Sequence, residues 1–354
     1  MINSDQPLPP RMENIAAPLD RVVTAIRESA GTNLGGLLLL FLGLFTVFSI
    51  LLPGTFLQTG TMQSMMFQLP ELGLLSLAMA IPLVSGGLNL AIIATANQAA
   101  LLMAWILTTQ MPLDAAGAEV WLWIILAFAA GFMLCLIIGL ITGLIVAVIG
   151  VHPILVTLGT QTLIGGISIW LTRGQTLSGF PDALIHVSNE TIAGIPISFG
   201  IFVIVALGVH ILLTRSVLGI QIHMMGSNLE STRFSGVNTR RVQIWVYVLS
   251  SLLCWLAAIV MMARFNSAGA DIAQSYLLIT ILAAILGGID PYGGFGRVTG
   301  LVVALFILQT ISSGFNLLGF SQHLTLALWG FTLILVMAAK RLTSTLATRY
   351  RSRS

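Results

Sequence analysis

The chain has 354 residues, of which 57% are hydrophobic and only 8% charged, and a mean hydropathy of +1.00. This excludes a soluble domain, where roughly a quarter of residues carry charge. Each crossing of a hydrocarbon core about 30 Å thick takes about 20 apolar residues, so the length suits one multi-span membrane domain with short loops. A formal net charge of +3 gives no reason to invoke nucleic acid, and the placement of the basic residues says more than their sum.

Residues 1–33 read as a cytoplasmic tail with no cleavable signal, because Arg11, Glu13, Asp20, Arg21, Arg27 and Glu28 leave no apolar stretch. Within it Leu19, Val22, Val23 and Ile26 share one helical face opposite Asp20, Arg21 and Arg27. That face suits the inner membrane surface or the surface of the protein itself, and the sequence does not choose. Apolar runs follow at 34–53, 71–86, 88–108, 118–149, 153–172, 195–214, 241–263, 275–288, 298–315 and 321–340. They predict an all-α, polytopic transmembrane bundle of about ten spans over residues 34–341, ending in a basic tail at 342–354. The second and eighth runs are short enough to leave re-entrant segments open, and the fourth is long enough to tilt or to leave the bilayer. With a cytoplasmic N-terminus, ten crossings put every basic residue inside except Arg173 and Arg264, as the positive-inside rule requires. Cys135 and Cys254 fall within apolar runs and read as small hydrophobes.

The motifs exclude more chemistry than they suggest. Lys340 is the only lysine and no Gly-x-x-x-x-Gly-Lys loop precedes it, so this chain does not hydrolyse ATP by itself and is not read as an enzyme. No His or Cys spacing suits a metal, no Gly-x-Ser-x-Gly elbow occurs, and nothing asks for a cofactor. An ion-coupled secondary carrier would place carboxylates at mid-membrane, whereas Glu71, Glu119, Asp271 and Asp290 lie at the ends of runs. The spans carry amides and hydroxyls instead. Asn97, Gln98, Thr160 and Gln161 are therefore the candidates to line a path for a neutral polar solute, although such groups serve equally as helix-to-helix hydrogen bonds. Gly139/Gly143 and Gly296/Gly300 are small-residue pairs whose default meaning is close helix packing.

Two loops complete the pattern. In 215–243, Asn228 can cap a short helix ended by Gly236, presenting Leu229, Glu230, Arg233 and Phe234 either to a partner's groove or only to solvent. In 286–300, Gly287, Gly288, Asp290, Pro291, Gly293, Gly294, Gly296 and Arg297 predict a tight non-helical hinge between two helices. Gly86-Gly87-Leu88-Asn89 weakly echoes Gly287-Gly288-Ile289-Asp290.

Taken together, Gly226 to Val237, the arginine pair Arg240-Arg241, Ala268-Gly269-Ala270, Leu286-Gly287-Gly288 and Gly293-Gly294-Phe295-Gly296-Arg297 resemble permease subunits of bacterial ABC importers for ribose and other simple sugars. The similarity covers about residues 35–341. The family's Gly-Gly-Ile-Asp-Leu-Ser motif reads Gly86-Gly87-Leu88-Asn89-Leu90-Ala91 here, with an amide where the family has a carboxylate. The resemblance implies a multi-pass protein of the bacterial inner membrane that pairs with a second permease subunit, the same or related. It also implies an ATP-binding cassette subunit docked on Gly226, Asn228, Glu230, Arg233, Phe234 and Gly236, a periplasmic solute-binding protein, and Asn89 among the pathway residues. Members that carry polyols, nucleosides or autoinducers look alike at this level.

Overall fold

The computed structural model describes residues 33–334 apart from 113, 193, 322, 332 and 333. The N-terminal amphipathic face, the end of the tenth run and the basic C-terminal tail fall outside them. In chain order the helices are α1 (Asn33–Leu51), α2 (Thr59–Val84), α3 (Ile92–Trp105, continued by a π-helical turn to Gln110), α4 (Ala118–Leu144, likewise continued to Ile149) and α5 (Pro153–Thr172). They continue with α6 (Asp182–Asn189), α7 (Ile197–Arg215), α8 (Val217–Ser227), α9 (Leu229–Phe234), α10 (Thr239–Phe265), α11 (Tyr276–Leu286) and α12 (Val298–Leu317). Residues 323–331 are helical as well. Among the described residues, 8 helices are long and apolar enough to cross a membrane, so the all-α polytopic bundle is borne out. Among the described residues two minimal antiparallel pairings interrupt it, β1 (Leu177–Ser178) with β4 (Ser267–Ala268) and β2 (Thr191–Ile192) with β3 (Ile195–Pro196).

The second span differs from its expected bounds. It begins at Thr59 rather than at 71, and its 26 residues reach about 39 Å. Thr61, Ser64 and Gln68 lower the apparent hydropathy of its first half, yet they share one helical face while Met65 and Leu69 are buried on another. Pro70 lies inside this helix and withholds only the one bond to the Met66 carbonyl. The eighth run is indeed short: α11 has 11 residues, about 16 Å, and does not span a bilayer alone.

Helix α10 forms the centre of the bundle and packs along α2, α3 and α4. Its closest approach is to α4, where a Cβ on Gly139 would fall 2.8 Å from Val248 Cα and one on Gly143 would fall 2.9 Å from Ile244 Cα. This small-residue pair therefore brings two backbones together, with no hydrophobic force needed between the helices. Gly139→Val forces backbone against backbone and is expected to lower stability by about 1–3 kcal/mol or more. Thermal unfolding of the purified protein checks this, with Gly159→Val, which opens on empty space, unchanged.

Helices α2 and α11 end in the same way. Gly86 N–H donates to Leu83 O and Gly87 N–H to Pro82 O; Gly288 N–H donates to Ile285 O and Ile289 N–H to Ala284 O. Both are Schellman endings. The echo in the sequence is thus a shared helix stop, but its structural register is offset by one residue, pairing Gly86 with Gly288.

Candidate functional site

The two helix stops meet at one end of the bundle. Gly293 and Gly294 have φ of +91° and +82°, which suits glycine, and a Cβ on Gly293 would fall 2.6 Å from Gly86 Cα. Gly294 N–H donates to Val84 O at 2.8 Å. A Cβ on Gly226, near the end of α8, would collide with both Val84 O and Gly294 N. Three segments, 84–87, 226–227 and 290–294, therefore pack backbone to backbone. Asp290 shapes the turn: its Oδ1 accepts from Tyr292 N–H (2.9 Å) and its own N–H donates to Phe295 O (2.9 Å). Gly287 closes on Leu301, and the His223 ring lies between Gly219 O (2.9 Å) and Gly296 O (3.3 Å), joining α8 to the turn.

From this junction α9 projects outward. Asn228 Oδ1 accepts from Ser231 N–H at 2.9 Å and caps it, and Gly236 follows at φ +83°. Glu230 and Arg233 are exposed, and Phe234 is 90% exposed. A groove of about 880 Å³ runs between α8, α9 and the turn, with His223, Ser231, Phe295 and Arg297 among its walls. Arg215, Arg233, Arg240, Arg241 and Arg297 lie at this end, while Arg173 and Arg264 close helices at the other.

The amides singled out as pathway residues are spread across the bundle rather than gathered around one space. Asn89 is buried, donates to Ser250 Oγ (2.9 Å) and accepts from Ala91 N–H (3.1 Å), while Ser250 itself donates to Ala78 O (2.7 Å). Asn97 is buried with its amide hydrogens on Ala270 O (3.0 Å) and Ile272 O (2.9 Å), pinning the 266–275 segment to α3. Gln98 accepts from Ser168 Oγ on α5. Thr160 donates to Val156 O (2.8 Å) and borders a mostly apolar cleft between α4 and α5; Gln161 is half-buried beside it. The amide at 89 suits its surroundings, because Ser250 has already given its hydrogen to Ala78. Asn89→Asp places a carboxylate against a lone pair and is expected to lower stability by about 1–3 kcal/mol, read in the same thermal assay.

The position of Glu71 corrects the sequence reading. It lies at the middle of α2, not at a span end, and is 0% exposed. Its Oε1 accepts from the Arg264 guanidinium of α10 and from the Tyr276 hydroxyl of α11 (2.5 Å), so one carboxylate ties three helices together. The isolated acidic residue after Pro70 was the available signal. Starting the span at 71 hid it.

Comparison with known proteins agrees with this architecture. A family described as "Branched-chain amino acid transport system / permease component" matches residues 61–337. The chain is 28% identical over 275 residues to the autoinducer 2 import system permease protein LsrD of Photorhabdus temperata, covering 76% of this chain and 79% of that protein. It is likewise 28% identical to LsrD of Yersinia enterocolitica and of Salmonella typhi, covering 76% of this chain and 80% of each. No solved structure matches. The resemblance to ABC importer permeases read from the motifs is borne out, and with a match from the first turn of α2 to beyond the last described helix, the chain belongs to this family of membrane-spanning transport permeases.

Proposed function

We propose that this permease imports a small neutral polar solute, a sugar or polyol, across a bacterial inner membrane. It works with a second permease subunit, with ATP-binding subunits on the cytoplasmic side and with a periplasmic solute-binding protein. The single observation that carries the reading is the capped helix α9, which holds Phe234 out in water at the arginine-rich end while residues 226–227, just before it, pack against the end of α2 and the 290–294 turn. The positive-inside rule makes that end, and both termini, cytoplasmic. An exposed aromatic on a short helix is suited to a partner's groove. Closure of the ATP-binding pair then moves α9, and the contacts of Gly226 with Val84 and Gly294 pass the motion to the spans. Gly287, Gly288, Gly293, Gly294, Gly296 and Arg297 act as the hinge.

A secondary carrier is the rival reading. Among the described residues the buried carboxylate is Glu71, and it is already held by Arg264 and Tyr276. The names of the LsrD relatives favour a second reading within the importer class, with an autoinducer as solute. Co-purification of the chain with an ATP-binding subunit, and ATPase stimulation by solute-loaded binding protein in nanodiscs, test the importer. Solute uptake by the chain alone in vesicles overturns it. A thermal-stability screen of the binding protein against sugars, polyols, nucleosides and autoinducer 2 separates the solutes.

A further inference from the structure

Polar groups line open space at the end of the bundle opposite the glycine junction. Helix α2 contributes Thr61, Ser64 and Gln68, and α12 contributes Ser313 and Asn316, with the buried Gln309 one turn before Ser313 on the same face; each set is spaced by three or four residues. Gln309 Nε2 donates to Gln68 Oε1 (3.1 Å) and Ser313 Oγ (3.2 Å), and Gln68 Nε2 donates on to Ser64 Oγ (3.0 Å). Counted at 1.5 Å per residue, Gln68 lies about 14 Å below the start of α2, and Gln309 about 12 Å below the end of α12. Both therefore lie well inside their helices, away from the frayed ends. A helix-to-helix hydrogen bond needs only one such pair. Here the row instead continues outward through Ser64, Thr61, Gln58 and Asn316 around a cavity of about 240 Å³. The amides of Asn89 and Asn97 are bonded to protein groups as well, but they do not border this cavity.

We infer that this cavity is where the permease first holds its solute, and that it takes a neutral molecule bearing several hydroxyls and about the size of one sugar ring. The inference rests on the importer reading above. Amides and hydroxyls offer donors and acceptors together, as vicinal hydroxyls require, while an ion would find no counter-charge on the wall. A volume of about 240 Å³ lies below the usual range of about 300–1,000 Å³ for drug-sized ligands and admits one ring, not a disaccharide.

The test uses the full importer, with its ATP-binding subunit and binding protein, in proteoliposomes. Ser64→Cys and Ser313→Cys are exposed from the binding-protein side to a membrane-impermeant cationic methanethiosulfonate, with Leu155→Cys on the exposed face of α5 as control. The native Cys135 and Cys254 are buried, and the wild type gives the background. The expected result is modification at 64 and 313 but not at 155, with ATP-driven uptake of a tritiated pentose or pentitol lost only in the modified variants. The paired variant Gln68→Leu/Gln309→Leu, which leaves neither amide facing an apolar group, should raise the KM for uptake about tenfold, the equivalent of one or two hydrogen bonds. Cysteines that stay unreactive, or that react without loss of uptake, overturn the site. Reactive cysteines in a wild-type background that takes up neither probe would instead count against the importer reading, and the solute role falls with it.

Discussion

Phe234→Ala is expected to weaken association with the ATP-binding subunit by about 2–4 kcal/mol, roughly 30- to 1,000-fold, while leaving the permease's own thermal stability unchanged. The two halves of the expectation have one cause. At 90% exposure the ring loses almost no contact within its own chain when truncated. In a partner's pocket the same ring would be fully desolvated and would act as an anchor surrounded by weaker contacts. Binding of the purified ATP-binding subunit to the permease in nanodiscs measures the first half, and thermal unfolding the second. Leu229→Ala, on the same short helix and also exposed, provides the comparison: as a smaller anchor it should cost less. Equal binding by wild type and Phe234→Ala would remove α9 as the docking element. The glycine contacts at its base would then be packing alone.

Much of this architecture is legible in the chain because lipid simplifies the code. Backbone groups in hydrocarbon must bond within their own segment, so a long apolar run means a helix, and α1, α4, α5 and α12 start within a residue of their runs. The cap and stop of α9 were readable from Asn228 and Gly236 because capping is a local interaction. Errors arose where tertiary contacts override hydropathy. The first half of α2 carries hydroxyls and amides because its polar face borders α12 and a cavity, which no window over one segment can detect. The amide of Asn97 has the same sequence signature whether it faces solute or a carbonyl, and Asn89 enters only through the motif that carries the family resemblance. Only the fold shows Asn97 bonded to residues 270 and 272. The glycines at 226, 293 and 294 stood out singly, but their purpose depends on three distant segments touching.

The group at Glu71, Arg264 and Tyr276 gives the other large effect, and its two ends should respond unequally. Removing one partner of a buried ion pair typically costs about 3–5 kcal/mol, because the remaining charge is left uncompensated. Here the partners differ in their access to water: the Glu71 side chain is 0% exposed, and that of Arg264 is 23% exposed at the last turn of α10. Arg264→Leu strands a carboxylate held only by the Tyr276 hydroxyl and should incur the full penalty. Glu71→Gln keeps an acceptor for that hydroxyl and frees a guanidinium that can turn toward the interface, so about 1–3 kcal/mol is expected. The double variant Glu71→Leu/Arg264→Leu removes both charges and should recover most of the loss, since apolar replacement of a whole buried pair is often neutral or stabilising. Thermal unfolding of these proteins in one detergent, with Glu71→Leu alone to close the cycle, measures the coupling. If the double variant is as unstable as Arg264→Leu alone, the carboxylate is not what the arginine compensates. Tyr276 and the packing of α11 against α2 would then hold that part of the bundle.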